Sequence, residues 1–574
     1  MLGRFVGKEI FKGIAFRVIP FLFVLFCESS AMFGQELPDE LLDFIAGLVP
    51  EEHQMEAMIV SCEEAMLNPI DINTNDSARL AEVPFLTDYQ IVSVWQYRKN
   101  YGNIVSAMEL SLVSGFNEVI VARIRPFIYI SSYSNVSRKA RIYDDMLIRG
   151  GAKYQKEGNK DPYQILTKYK IRYGNLLQAG FTAKYPAFHS PHISTMGLVL
   201  DKKRNYVLSS AVLGDFSARF GQGLVIWNSF SLSPSTPSSV YRKESKIVPY
   251  TSTDENKFYR GIGLSFRLFH NLDLSLFYSN NSTSKGLRDR VVAGNMSYKW
   301  KVLKLGLTYS ACTNNLSSDF YLSLSGLRVF GELAFDKEWK SAALLGMILS
   351  KYEGLEVSAF LRYYSPYYKA PNAGAYSSLS TVSNQMGVGV NAKYFINRKL
   401  SLSFNGDYAY FPKPRYRIED DSYDYYANLR LDYKNIVYML LSLKRDIYLE
   451  KLRWGLRLNY IYAWDKGIKI ETRAEGSYIN SKPGVLTYVG LGYKGAGKKK
   501  WEVTTRVTAY YVDNWEGRIY SYERDVPGSF SVPFYHKKGF DCYLYGKIEF
   551  SKRAKLYLKV GSKRAKIQLK LSFF

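Results

Sequence analysis

The sequence predicts a mainly β protein: a large antiparallel barrel crossing a membrane with its strands, preceded by a small all-α region. Three observations carry that expectation. Arg4, Lys8, Lys12 and Arg17 lead into a short apolar run at 19–27 and then into Ser29, Ser30 and Ala31, the pattern of an export signal. Beyond position 130, segments of roughly ten residues alternate apolar and polar side chains, the signature of barrel strands with one face in lipid and one in a lumen. No apolar run reaches the roughly 20 residues a helix needs to span hydrocarbon, so any crossing rests on strands.

Residues 1–34 are read as the signal peptide. Bulky Phe26 stands before Cys27 where a lipidation signal wants a small residue, which argues against a lipoprotein. The other cysteines, Cys62, Cys312 and Cys542, lie far apart and form no C-x-x-C pair, so they read as isolated, partly buried thiols. His189 and His192 sit in a Pro-containing loop without further ligands; neither a metal site nor a cofactor is expected. The net charge of +25 is unevenly placed: residues 35–130 carry −10 and residues 131–574 carry +33. A nucleic-acid-binding domain is normally the basic part of its protein, and here the order is reversed.

Residues 35–68 read as an acidic helical segment. Leu41, Leu42, Ile45 and Leu48 share one face, as do Met55, Ile59, Cys62 and Met66 after Pro50, and nine acidic residues stand against no Lys or Arg. Residues 69–130 read as four short helices. Asp76 caps the first, Thr87 with Gln90 opens the second, Ser106 with Glu109 opens the third, and Asn117 caps the fourth. LAEVPFLTDYQ and LSLVSGFNEVI are two copies of one unit, with Leu80, Val83 and Thr87 answering to Leu110, Val113 and Asn117.

The DINT start, the YRKNYG bridge, the GF turn and the closing RPFI resemble the tandem helix-hairpin-helix domain of competence-type DNA receptors, over about 60 residues. In that family each hairpin turn carries two glycines that bring backbone N–H groups to a DNA phosphate. Here Phe85 and Thr87 replace both glycines of the first turn, and Asn117 replaces the second glycine after Gly115. Residues 69–130 are net −1, which removes the main driving force for phosphate binding. The resemblance implies Gly115, Phe116 and Asn117 as nucleic-acid-binding positions. The altered turn at Phe85, Leu86 and Thr87 is instead expected to dock a partner.

The barrel is assigned to 131–574. In KLSLSFNGDYAY, Leu400, Leu402, Phe404, Tyr408 and Tyr410 share one face and Ser401, Ser403, Asn405 and Asp407 the other. KLRWGLRLNYIY puts Leu452, Trp454, Leu456 and Leu458 opposite Arg453, Arg457 and Asn459, and WEVTTRVTAYY puts Val503, Val507 and Tyr511 opposite Glu502 and Arg506. Segment ends such as YYSPYY, YAYF and YIYAW suit an interfacial aromatic girdle. Tight turns near 270, 301, 397, 434 and 552 alternate with long loops at 228–257, 365–384, 411–421 and 513–540, taken as short periplasmic turns and outer loops. This spacing predicts about 18–22 strands. The terminal KIQLKLSFF presents Ile567, Leu569, Leu571 and Phe573 on one face, one residue out of step with a terminal aromatic signal.

A leader, an acidic helical segment, a degenerate tandem hairpin and a barrel together resemble the helix-hairpin-helix domain-containing outer-membrane β-barrel proteins of Gram-negative bacteria. GDFSARFGQGLVIW (214–227) and VPYTSTDENKFYRG (248–261) resemble stretches typical of that family. The resemblance implies a bacterial outer-membrane location with the helical domain in the periplasm. A polar cluster inside the lumen is expected from Asp215, Arg219, Asp254, Glu255 and Arg260, joined by Arg453, Arg457 and Arg506. The expected function is a channel or transport component whose helical domain docks in the periplasm or plugs the lumen; the alternative is DNA binding or uptake. No catalytic residues, and no enzyme, are expected. Expected partners are membrane lipid, lipopolysaccharide and a periplasmic protein, with DNA as the alternative partner.

Overall fold

The computed structural model describes residues 69–131, most of 142–573 and single positions between 37 and 66. The export signal lies outside the described residues.

Residues 69–131 fold as the internal repeat requires. Four helices follow one another: α1 (Ser77–Ala81), α2 (Asp88–Tyr101), α3 (Ala107–Leu112) and α4 (Glu118–Ile124). Asp76 Oδ1 accepts from Arg79 N at 3.3 Å, opening α1. At α2 the Thr87 side chain accepts from Gln90 N while Gln90 Oε1 accepts from Thr87 N, a complete capping box. Ser106 caps Glu109 N, but the Glu109 carboxylate reaches back one residue further, to Val105 N at 2.7 Å. Asn117 Oδ1 accepts from Ile120 N at 2.9 Å.

The two hairpin turns superpose residue for residue. Phe85 and Gly115 both have positive φ, +64° and +81°, and both turns are closed by equivalent N–H to C=O bonds from Val83 and Val113 and from Leu86 and Phe116. The ends are tied by a parallel pairing of Ile70–Asp71 with Ile128–Tyr129. Asn73 adds a two-way bond to Ile104, donating to its C=O at 2.9 Å and accepting from its N–H at 3.0 Å.

Gly115 is needed for more than its φ. A Cβ there would lie 2.7 Å from the Tyr89 ring, and its C=O accepts from Gln90 Nε2 at 2.7 Å. Gly115→Ala therefore adds a clash to a left-handed strain of about 1–2 kcal/mol. We expect it to increase protease cleavage within 69–131 while the heat-modifiable migration of the barrel stays as in the parent chain.

The remainder is a closed antiparallel ring. Each strand pairs with its chain neighbour, and the last, Arg564–Leu571, pairs with the first, Ile142–Lys153, in the register Ile567 to Gly150. Within the described residues the ring has 24 strands, with the short Lys246–Pro249 laid beside it. The expectation of about 18–22 was too low. Strands such as Ile142–Lys153, with paired Asp and paired Gly, and the four-residue Met196–Val199 lack the strict alternation used to count them.

Where alternation is strict, the faces fall as expected. In Lys500–Val512, Trp501, Val503, Val507 and Tyr511 are exposed outward while Glu502, Arg506 and Thr508 are buried inward. In Lys451–Ala463, Trp454, Leu456 and Leu458 point out and Asn459 points in. The aromatic clusters divide by the same rule: Tyr363, Tyr367 and Tyr408 face out, whereas Tyr364, Tyr368 and Phe411 are buried. Among the thiols, Cys62 is buried, but Cys312 and Cys542 are exposed rather than partly buried.

Candidate functional site

The lumen is the candidate site, and three sets of residues enter it. From the tight-turn end comes the helical segment 69–131. Asp88, the first residue of α2, pairs with Arg328 at 2.5 Å, and both side chains are buried. The backbone N–H of Asp88 donates to Glu356 Oε1 at 3.3 Å. Tyr89 stacks on Phe395 at 5.3 Å. Arg328, Glu356 and Phe395 all stand within two residues of a strand end on the tight-turn side. Around them Arg398 donates to Leu112 C=O at 2.9 Å, Lys170 meets Glu63 at 3.2 Å and Lys299 meets Asp76 at 4.0 Å. Basic residues of the barrel rim thus meet acidic side chains of the helical part at Glu63 and Asp76.

The second set comes from the other end. The strand Leu208–Arg219 stays paired with the wall strand Tyr259–Phe269 as far as Phe216, takes a positive φ at Gly214 (+99°), and is buried on both faces from Asp215 to Arg219. The chain then folds under itself inside the barrel. Gly223 C=O accepts from Gly374 N and Ala375 N at 3.0 and 2.9 Å, Tyr368 OH donates to Leu224 C=O at 2.8 Å, and Trp227 N donates to Asn372 C=O at 2.8 Å. Glu332, inward from the wall, accepts from Gln222 N and Leu224 N at 2.7 and 3.1 Å. A Cβ on Gly221 would sit 2.9 Å from that carboxylate, so glycine is what lets Glu332 reach the backbone.

Third, the segment after Val512 does not stay outside. Ile519–Tyr520 pairs antiparallel with Phe534–Tyr535, and Ile519 and Tyr535 pack on Leu486, Tyr488 and Val512 of the inner wall. The tip carries Glu523, Arg524 and Asp525, which pair with Lys559 at 2.9 Å, Glu502 at 2.5 Å and Lys566 at 2.5 Å. Phe530 is buried in the same apolar cluster as Leu86, Ile91 and Phe116 of the helical segment. The long loops 365–384 and 513–540, expected outside, thus fold back into the lumen.

The expected polar cluster is placed in part. Arg260 holds Asp215 through two bonds, 2.6 and 2.9 Å, and Arg219 is buried beside them in the chain. Asp254 and Glu255 lie outside the described residues. Arg457 grips Glu475 with two 3.0 Å bonds, Arg506 pairs with Glu471 at 3.2 Å, and Arg453 donates to Arg518 C=O at 2.8 Å. These are two separate regions of wall, not one constellation. Sequence reasoning missed Arg362, whose guanidinium holds Asp407 through bonds of 2.6 and 2.8 Å and also reaches Gln385 and Ser378. Strict inward parity would have found both partners.

At the first hairpin turn, Phe85 packs edge-on against Phe44 at 5.3 Å and tilted against Phe127 at 6.2 Å, Leu86 is buried, and Thr87 is a buried cap. The contacts with the barrel wall begin one residue later, at Asp88 and Tyr89. At the second turn Phe116 is buried and Asn117 caps α4.

The inserted tip also carries a pH dependence. Burial by itself raises a carboxyl group, but Lys559 and Lys566 outweigh it and hold Glu523 and Asp525 below their ordinary values of 4.5 and 3.8. Lowered values in the folded state mean that this stabilisation is complete above the ordinary carboxyl range and is lost as pH falls through the lowered values. Protease protection of 521–532 is therefore expected to be unchanged from about pH 7 to 5 and to fall only below about pH 4.

A closed ring with an apolar outer belt and a charged, bonded interior defines the class: a membrane-spanning β-barrel with an occupied lumen. Among the described residues no helix is long and apolar enough to cross a membrane. No family model and no curated protein sequence matches the chain. Among solved structures it is similar to the P pilus tip assembly intermediate PapC-PapD-PapK-PapG of E. coli, at 11% identity and a TM-score of 0.43, over 78% of this chain and 63% of that one. It is similar to the siderophore receptor PirA of Pseudomonas aeruginosa at 10% identity and a TM-score of 0.40, over 76% and 80% of the two chains. It is similar to OccK11 of the same organism at 10% identity and a TM-score of 0.29, over 75% and 95%. The chain thus spans less than two thirds of the first of these, and its own strand pairings and contacts are what carry the functional reading.

Proposed function

We propose that this protein is an outer-membrane β-barrel that serves as a channel or transport component, held closed by its own helical segment in the periplasmic mouth. The observation that carries the reading is the buried junction of Asp88 with Arg328 and Glu356. It joins the start of α2 to two adjacent regions of wall inside the ring. A segment that merely hung beside the barrel would have no reason to bury a charge there, since burying an unpaired ion costs several kcal/mol. The tight-turn end, which carries both chain termini of the ring and the helical segment, is assigned to the periplasm. The outward apolar face meets membrane lipid. Tyr101, Val105 and Met108, at least 71% exposed on the helical segment, support a periplasmic protein partner.

DNA binding or uptake is the weaker reading. The N–H at the start of α2, where a phosphate would approach, donates to Glu356, and Glu118 adds negative charge at the second turn. Planar-bilayer conductance tests the proposal. The full chain is expected to stay closed for most of a recording, and a variant lacking 35–130 to show large, frequent openings. Equal conductance of the two would refute the plug.

A further inference from the structure

We infer that the segment 513–536 is a strap that locks the helical segment in the barrel from the opposite end, so that closure is controlled from both sides of the membrane. The inference rests on the plug reading above and adds the element that governs it. Three independent features point to it.

The first is reach. The strap leaves the wall after Val512 and its Arg524 pairs with Glu502, ten residues back along the same strand. At roughly 3.3 Å per residue this is a descent of about 30 Å through the lumen. Arg506, midway, donates to Tyr522 C=O. The strap is stiffened as it descends: Glu523 N donates to Ser531 C=O at 2.8 Å and Ser521 N to Pro533 C=O at 3.2 Å, extending the two-stranded ribbon to its tip.

The second is a charge code. Glu523, Arg524 and Asp525 alternate in sign, and Lys559, Glu502 and Lys566 answer them from three different strands. Ser531 Oγ and Tyr535 OH also donate to Glu523, at 3.0 and 3.1 Å, so the carboxylate is held by its own ribbon as well as by the wall. Arg149 donates to Pro527 C=O at 2.7 Å from a fourth strand. A loop that only lined the wall would not need its signs matched three times in succession.

The third is contact with the plug itself. Phe530 is 4% exposed within the apolar cluster of the helical segment, and Tyr522 and Val532 pack against that cluster. The strap is thus bonded to the wall by its charges and to the plug by its apolar side chains. Moving it outward exposes one face of the plug core and removes the support above it.

The test uses the full chain in planar bilayers, with E523K, K559E, the E523K/K559E double variant and F530A. Heat-modifiable migration reports that each barrel is folded. We expect E523K and K559E each to raise the open probability on the order of tenfold or more, because each leaves like charges facing one another inside the lumen. The double variant restores an opposite pair and is expected to return close to the parent value. F530A, which touches no ion pair, is expected to open the channel without altering protease protection of Glu523. If all four variants stay as closed as the parent while the chain lacking 35–130 conducts, the strap is not a lock and the plug reading stands. If the chain lacking 35–130 is also closed, the plug reading fails and the strap fails with it. Opening by the single charge variants without recovery in the double variant would show general loosening and would overturn the lock.

Discussion

Arg328→Glu expels the helical segment from the barrel mouth. The substitution removes the partner of buried Asp88 and sets a third carboxylate beside Asp88 and Glu356. Removing one partner of a buried pair costs about 3–5 kcal/mol, and the added repulsion acts in the same direction. The docked population is then expected to fall on the order of a thousandfold. Limited proteolysis of 69–131 in right-side-out membrane preparations opened to the periplasm reads the release, and bilayer conductance reads its consequence. The strand pairings around Arg328 are untouched, so heat-modifiable migration of the barrel is expected to persist. Restoring opposite charge with Asp88→Arg in the same chain is expected to recover part of the docking. A segment that stays protected in R328E would show that docking does not depend on this junction.

Arg362→Ala is expected to have the next largest effect, and of a different kind. Arg362 and Asp407 are both nearly inaccessible to solvent and joined by two bonds, so truncating the arginine leaves a buried carboxylate with no cation beside it. The expected cost is about 3–5 kcal/mol. Because Arg362 also donates to Ser378 and Gln385, the loss spreads to the loop 365–384, which interlocks with 220–228. A lower urea midpoint, with increased cleavage in 365–384, is the expected result. Arg362→Ala combined with Asp407→Asn is expected to be less damaging than Arg362→Ala alone, since the second change removes the stranded charge.

Much of this architecture was legible in the sequence because its cause is local. Thr87 with Gln90 and Asn117 with Ile120 are contacts three residues apart, and the spacing alone reveals them. Alternation in Leu400–Phe411 and Lys500–Val512 fixes which side chains face lipid, since period two admits only two faces. The charge contrast between 35–130 and the barrel was visible as well.

What escaped depends on long-range geometry. Glu523, Arg524 and Asp525 read in sequence as a solvated loop, because their partners lie 22 to 41 residues away on three strands of the wall. Glu332 shares the inward face of its strand with Arg328, Phe330 and Ala334, and its role depends on Gly221, more than a hundred residues earlier. Phe85 is the instructive case. At a position with φ of +64° that glycine would occupy freely, a phenylalanine stands because its ring fills the gap between Phe44 and Phe127. Packing outweighs a backbone strain of about 1–2 kcal/mol, and the turn survives without its glycine.

The central claim is that the helical segment sits inside the barrel mouth in the membrane. It is tested most directly by crosslinking in intact outer membranes, with Leu112→Cys and Arg398→Cys in a chain whose native cysteines are replaced by serine. Leu112 C=O and Arg398 Nη2 are 2.9 Å apart, so a short thiol-reactive crosslinker is expected to join the pair in most molecules. It should fail to do so when Arg328→Glu is added. Absence of the crosslink in the otherwise native chain, with both thiols shown to be reactive, would contradict the account.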